Sequence, residues 1–488
     1  MIRISGKFFI TTPIFYVNDV PHIGHAYTCI VADTIARWHR LRGEEVYFLT
    51  GTDENSVKTV QGAKKHGYAD IKKYTDVMAE RWKETWKILG ISYDDFIRTT
   101  EERHRKTVER FFLKVYQKGD IYKGRYEGLY CEGCETYLTE SELENGLCPV
   151  HKKPPKRIVE ENYFFKLSRY EKKLLEYIEK NPDFVQPETR RNEVISFIKS
   201  GLRDISISRP GLEWGIRLPI DKNHVFWVWF DALVNYISAD ERRWPADLHL
   251  MAKDILRFHA VIWPAMLMSA GYPLPKKIFA HGFFTVEGEK MSKSLGNIVD
   301  PLELVKKYPL DAIRYYLLRE VPLGEDGDFS EEALKERLNN ELANDLGNLL
   351  SRVLVMIEKF FGGKIPEGKP DEKLSAELDL ERIEKLMERL ELHHALDEIW
   401  EFIRACNRYI NEKKPWELEG DERKNVIYTL ADSMRIISIL INPFMPETSL
   451  KISKQLGIKP GTWDETRPGL IKAGMEIRKG DYLFKKIK

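Results

Sequence analysis

Cysteine is scarce in this sequence: five in 488 residues, too few for a disulfide framework. No apolar run approaches the 18 residues of a membrane-spanning helix, so a membrane partner is not expected. The opening residues, Met1-Ile2-Arg3-Ile4-Ser5, lack the apolar core of a signal peptide, which sets the expectation of a cytoplasmic protein. An excess of charge is missing too. With 77 basic and 76 acidic residues the net charge is +1, so a nucleic-acid partner would have to be met by local basic patches. What is present is 43% hydrophobic and 31% charged residues, the balance of a water-soluble globular chain. The length is too great for one core and implies roughly two to four domains.

The apolar pattern alternates between strand and helix. Residues 8–12, 45–50 and 96–98 read as strands, and 24–42, 69–89 and 101–118 as helices. That order predicts a parallel sheet with ligands at the carboxyl ends of its strands. Residues 119–225 break the pattern and read as an inserted small domain. The alternation returns with a continuous apolar strand at 225–231, a strand at 248–252, a helix at 255–270 and a strand at 277–282. Helical spacing then recurs in 342–361, 378–389, 392–413 and 424–441, as in a helix bundle. The expected fold is α/β: a split Rossmann-like parallel sheet with a zinc-binding insertion, followed by an all-α helix-bundle domain. Its expected parts are 1–118 (first catalytic half), 119–224 (insertion), 225–275 (second catalytic half), 276–335 (a lysine-motif loop and stem-contact region) and 336–488 (helical domain).

Three motifs carry chemistry. Pro21-His22-Ile23-Gly24-His25 opens the first helix, where unpaired backbone N–H groups and the helix dipole suit phosphate. Taken alone, the stretch reads equally well as a helix start with two surface histidines. Glu289-Lys290-Met291-Ser292-Lys293-Ser294-Leu295-Gly296-Asn297 can bring two ammonium groups to phosphate on a mobile loop, although most basic loops are simply solvated. Cys131-x2-Cys134-x13-Cys148-x2-His151 fits one tetrahedral Zn²⁺ held by three sulfurs and an imidazole, with no position spare for a substrate and therefore structural.

The first two motifs together resemble the signatures of class I aminoacyl-tRNA synthetases, and the wider chain resembles the methionyl-tRNA synthetase family. Thr12-Pro13-Ile14-Phe15-Tyr16-Val17-Asn18, Gly51-Thr52-Asp53-Glu54, Val228-Trp229-Phe230-Asp231-Ala232-Leu233 with Asn235-Tyr236, and Lys253-Asp254-Ile255 with Phe258-His259 carry the likeness. Gly324 and Asp326-Gly327-Asp328-Phe329-Ser330 extend it toward the helical half.

The resemblance implies methionine–tRNA ligase activity, with ATP, L-methionine and tRNA(Met), including the initiator, as partners and Mg²⁺ accompanying ATP. It implies a catalytic set of His22, His25, Lys290, Lys293 and Arg209, with Gly24 and Asp254 also meeting ATP. It implies a methionine pocket from Ile14, Tyr16, Trp229, Leu233, Tyr236, Ile255 and His259, whose rings suit a polarizable thioether. Asp53, at a strand's carboxyl end, would take the substrate ammonium. The resemblance makes Trp463 an anticodon-stacking ring; Arg404 and Asn407, on one side of the 392–413 helix by their spacing, would meet the anticodon with it.

The stretch between the two signatures leaves no room for a large editing insertion. Three positions depart from the family's common pattern: Asn55-Ser56 stands for His-Gly, and Ala252 for Gly. The chain ends at Lys488 without an appended oligonucleotide-binding domain, so a monomer is expected. A tRNA-independent adenylate-forming enzyme and a non-catalytic tRNA-binding relative are the rival readings. The first is usually shorter, and the intact signatures argue against the second.

Overall fold

The computed structural model describes residues 6–131, 133, 136–138, 140–150, 152–286, 288–291 and 297–487. The first strand, β1 (Lys7–Tyr16), is rich in aromatic and β-branched residues and runs past the expected end at residue 12. It does so through an irregularity between Thr11 and Ile14, where its register against β2 (Glu45–Asp53) shifts; Pro13 sits in that break, where a missing N–H costs no ladder bond. Between them lies α1 (Ile23–Leu41), buried on nearly every face from Ala26 to Ala36. Next come β3 (Asp95–Arg98) and α2 (Glu102–Gln117).

The insertion contributes β4 (Ile121–Cys131), β5 (Thr136–Leu138) and β6 (Lys156–Phe165), an antiparallel set. It also sends β7 (Val185–Gln186) into the parallel sheet, pairing with Ile278 and Phe279, so the insertion is not merely hung on the sheet but supplies its edge. Two residues followed by Pro187 leave no periodicity to read. Then follow β8 (Ile205–Ser206), β9 (Ser208–Pro210), β10 (His224–Phe226), β11 (Leu248–Ala252) and β12 (Ile278–His281). The six-stranded sheet has the order β3-β2-β1-β11-β12-β7 and all its pairs are parallel.

The strand expected at 225–231 is not one. Only β10 is extended, and it pairs antiparallel with β9; the rest turns into α3 (Val228–Leu233). A short apolar run buried on all sides has no period that separates strand from helix. The helix expected at 255–270 is likewise composite, with a π-helical stretch at Phe258–Ile262 before an α-helix at Trp263–Ala270.

A small sheet follows: β13 (Phe284–Val286), β14 (Glu289–Lys290) and β15 (Gly327–Asp328). Among the described residues the remainder is helical: α4 (Leu310–Arg319), a π-helical Leu338–Gly347 leading into Asn348–Phe361, then Leu380–Glu388, α5 (Leu392–Lys413), Gly420–Leu440 and Pro446–Gln455. One apolar cluster runs from α1 through α4 into these helices, so the two halves share a core.

That seam is also charged. Arg314 of α4, fully buried, bonds Asp33 of α1 (2.7 Å) and the carbonyls of Phe444 (2.9 Å) and Pro443 (3.2 Å). Burial pushes the Asp33 carboxyl up, but Arg314, Arg37 and Ser92 outweigh it and hold the group below its ordinary value.

Candidate functional site

Strand order reverses at β1, the position at which open α/β sheets bind ligands beyond their carboxyl ends. β1 pairs with β11 only at Ile10–Leu248 and Thr11–His249, while its pairing with β2 continues to Tyr16–Asp53. Beyond Thr11 the strand therefore parts from β11. A crevice opens there, edged by Tyr16, Asp53, Ala252 and His281 at the ends of four parallel strands.

His22 caps α1. Its Nδ1 accepts from Gly24 N–H (3.1 Å), and His25 Nδ1 accepts from the His22 backbone N–H (3.1 Å). An imidazole nitrogen that accepts carries no proton, so in both rings the proton sits on Nε2. Burial among Phe15 and Trp82 and the neighbouring His22 hold His25 well below its ordinary value, so it donates as a neutral ring. The two rings lie 3.7 Å apart, centre to centre.

The expectation of unpaired helix-start amides is corrected. Ile23 N–H donates to Val299 O (3.0 Å), Gly24 to the His22 ring, and His25 to His22 O (3.0 Å). What the first turn presents toward the crevice is imidazole N–H groups and the helix dipole, its backbone amides being taken. The Ile23–Val299 bond also ties the helix start to the segment that follows the lysine motif.

In that motif, Lys290 ends the β13–β14 hairpin, which Asp328 pins by accepting from Thr285 Oγ1 (2.7 Å) and Gly288 N–H (3.0 Å). The Lys290 side chain and all of Lys293 lie outside the described residues. Met291 is described: its methyl group would stand 3.9 Å from a Cβ placed on Gly24, so a side chain of the motif reaches the histidine turn. Lys253 pairs with Asp326, which also accepts from Phe283 N–H (2.8 Å); Asp254 beside it is exposed.

The expected methionine residues gather into one apolar cluster: Ile14, Tyr16, Trp229, Leu233, Tyr236 and Ile255. Sequence reading left Phe258 unassigned; it stacks flat on Trp229 at 3.8 Å, and a lone aromatic in a buried helix gives no signal of such pairing. Trp229 Nε1 is buried without a hydrogen-bond partner among the described residues.

His259 Nδ1–H donates to Ile255 O (2.9 Å), so its Nε2 accepts from Tyr236 OH (2.7 Å). Burial brings the His259 pKa down to about 4. His249 was also missed. Its Nε2 accepts from Trp263 N–H (3.3 Å), leaving Nδ1–H for Thr11 Oγ1 (2.7 Å), and its ring packs on Tyr236. Asp53 is buried at the end of β2 and accepts from Asn55 N–H (3.2 Å). The departures at 55–56 have local duties: Ser56 caps the helix Val57–Lys65 through Thr59 N–H, and Asn55 bonds Asp231. Ala252 ends β11 opposite His281.

Arg209 lies on β9 and is nearly buried. Its guanidinium stands 4.2 Å from the Tyr130 ring centre and 3.6 Å from the Glu160 carboxylate, both in the insertion.

Of the four expected zinc ligands, Cys134 and His151 lie outside the described residues; among the described residues no three metal-ligating side chains converge. Cys131 ends β4 opposite Thr136, and Cys148 sits in a turn closed by Lys152 N–H to Cys148 O (2.8 Å) and Cys148 N–H to Lys153 O (2.9 Å). Both are buried, and among the described residues neither belongs to an apolar cluster. Buried thiols at a strand end and in a turn are residue types that suit a metal cross-link.

In the helical half, Arg404 and Asn407 line an open cleft of about 680 Å³. The structure adds Asn348, Arg352 and Asn411, which were missed although they stand at helical spacing on facing helices. Arg404 lies beside Asp345 (3.5 Å), and Arg352 donates to Asn411 Oδ1 (2.8 Å). Trp463 is not in that lining. Its ring packs edge-on to Trp38 of α1 at 4.6 Å and is half-buried. Trp416, just past the end of α5, is 48% exposed. No described helix is long and apolar enough to cross a membrane.

Comparison with known proteins gives concordant matches. The family model "tRNA synthetases class I (M)" matches residues 8–159 and 140–354, and "Anticodon binding domain of methionyl tRNA ligase" matches 362–488. A methionine–tRNA ligase of Caldanaerobacter subterraneus subsp. tengcongensis is 51% identical over 98% of this chain and 79% of its own length. One of Thermotoga maritima is 48% identical over 99% of this chain and 80% of its own. The methionyl-tRNA synthetase of Mycobacterium tuberculosis in complex with methionyl-adenylate superposes with a TM-score of 0.94 at 40% identity, covering 98% of this chain and 99% of that one. The free form of that enzyme gives 0.87 at 38% identity, covering 99% of each.

Proposed function

The chain belongs to the methionyl type of class I tRNA synthetases, and from that premise we propose how its residues divide the work. It activates L-methionine with ATP, forming methionyl-adenylate and pyrophosphate, and then transfers the methionyl group to the 3′ end of tRNA(Met). In the first step a carboxylate oxygen attacks the α-phosphorus and the bond to the bridging oxygen of pyrophosphate breaks. The nucleophile is already ionised at neutral pH, so no general base is needed. The demand is for stabilising charge on phosphorus and on the leaving group.

The observation that carries this assignment is the tautomer lock at the start of α1. His22 and His25 each hold a proton on Nε2 and keep it because Nδ1 is occupied by a backbone N–H. They are preorganised donors. Lys290 and Lys293 supply mobile cations from the hairpin, and Asp254 meets the nucleotide. Mg²⁺ carried in with ATP shields the phosphate charge. Gly24 keeps space for the His22 ring. Arg209 acts from the insertion side.

Methionine lies between Asp53, which takes its ammonium, and the wall of Ile14, Tyr16, Trp229, Leu233, Tyr236, Ile255 and His259. Cys131, Cys134, Cys148 and His151 hold one structural Zn²⁺, which cross-links the end of β4 to the turn at Cys148. Anticodon bases, including those of the initiator, are met at the cleft of Arg404 and Asn407, with Asn348, Arg352 and Asn411 adding hydrogen-bonding groups. Trp463 offers an aromatic ring for stacking an anticodon base. The division into 1–118, 119–224, 225–275, 276–335 and 336–488, a monomeric state and a cytoplasmic setting complete the reading.

The test is exchange of labelled pyrophosphate into ATP, run without tRNA. Exchange that depends on methionine, and on no other amino acid, is expected. Exchange that proceeds equally without methionine, or none at all from protein that charges tRNA, would overturn it.

A further inference from the structure

Asn55 joins two parts of the crevice that no strand joins. Its backbone N–H donates to Asp53 Oδ1 (3.2 Å), and its side-chain amide donates to Asp231 Oδ2 (2.7 Å) and to Thr99 O (3.2 Å). Asp231 is 1% exposed and sits on α3 between Trp229 and Leu233. Its other oxygen accepts from His104 Nε2 (2.6 Å) on α2, and His104 Nδ1 meets Ser238 Oγ (2.8 Å). A buried carboxylate is tolerated only when both oxygens are bonded, and removing one donor leaves the other partners to move.

We propose that Asn55 is a positioning residue for the amino acid. Together with Asp231 and His104 it fixes the separation between the Asp53 carboxylate and the Trp229 wall, and so sets affinity for methionine without touching it. The inference rests on the reading of Asp53 and Trp229 as methionine contacts. The ionisable groups facing the cluster are His104 from α2, Asp53 from β2, Glu54 just past its end, and Arg98 from β3, whose guanidinium is taken by Glu54 (2.7 Å).

The test measures pyrophosphate exchange for Asn55→Ala, Asn55→Asp and Asp53→Asn beside the unaltered chain, from pH 6 to 8.5. Asn55→Ala is expected to raise the KM for methionine about tenfold, with kcat and the KM for ATP within about twofold. Asn55→Asp, nearly isosteric, carries the test should Asn55→Ala fail to fold. At low pH the two carboxyl groups share a proton that replaces the amide hydrogen, so the methionine KM relative to the unaltered chain stays near one. As both ionise, that ratio rises about tenfold. A ratio that does not change with pH, or a loss confined to kcat, would overturn the proposal. If Asp53→Asn raises the methionine KM while both Asn55 variants leave it unchanged, the inference alone fails. If Asp53→Asn leaves it unchanged, the methionine-site reading fails.

Discussion

Gly24→Ala separates stability from rate. A Cβ at Gly24 would stand 2.9 Å from Cε1 and 3.1 Å from Nδ1 of the His22 ring, closer than atoms pack, so the ring must move. Its bond to the Gly24 N–H would be lost, at a cost of about 0.5–1.5 kcal/mol. The helix gains about 0.5–1 kcal/mol from replacing glycine, so folding stability should change by less than about 1 kcal/mol. Chemistry should change far more. Moving a preorganised donor by on the order of 1 Å costs about a hundredfold, or about 2.7 kcal/mol in the barrier. The assay is pyrophosphate exchange at saturating methionine and ATP, with a denaturant midpoint and methionine binding measured on the same preparation. Exchange down about a hundredfold with an unchanged midpoint and intact methionine affinity is expected. An unchanged rate would remove His22 from the reaction, and a large loss of stability with a proportional loss of activity would make Gly24 a packing residue.

Lys293→Ala should slow adenylate formation strongly and leave methionine affinity nearly intact, because its contact is made mainly in the transition state; a collapse of methionine affinity at unchanged activation would contradict that role. His281 and His259 are buried and neutral, each with its pKa brought down by burial to about 4. In the unfolded chain they bind protons below about pH 6.5, so stability should be full above that pH and should fall as pH drops toward 4, by about 3 kcal/mol for each group. Urea titrations of His281→Gln across that window should show a shallower fall, and an identical slope would exclude His281 as a source. Protein purified without chelator should carry one zinc per chain by elemental analysis; a value well under one would refute the metal site. Trp463→Ala should raise the KM for tRNA about tenfold and leave tRNA-independent exchange unchanged; an unaltered KM for tRNA would remove that ring from anticodon stacking.

Much of the crevice could be read along the chain because its parts are local. The histidines lie within one helical turn, Asp53 ends its own strand, and the lysine motif is contiguous. Where reading failed, the cause was a property that no window of sequence holds. The run at 225–231 is apolar throughout, and only its surroundings make it β10 and then α3. The helix-start amides looked unpaired until Val299 and the His22 ring took them.

The sequence by itself determined the α/β class with its helical second half and the family, since alternating periods and short signatures are local and survive without a third dimension. Tertiary structure alone decided where β1 leaves β11, which nitrogen of each histidine carries its proton, and how Asn55 and Asp231 couple two walls of the crevice. Those outcomes depend on partners brought together from distant parts of the chain, and a hydrogen bond between distant residues leaves no period in either neighbourhood.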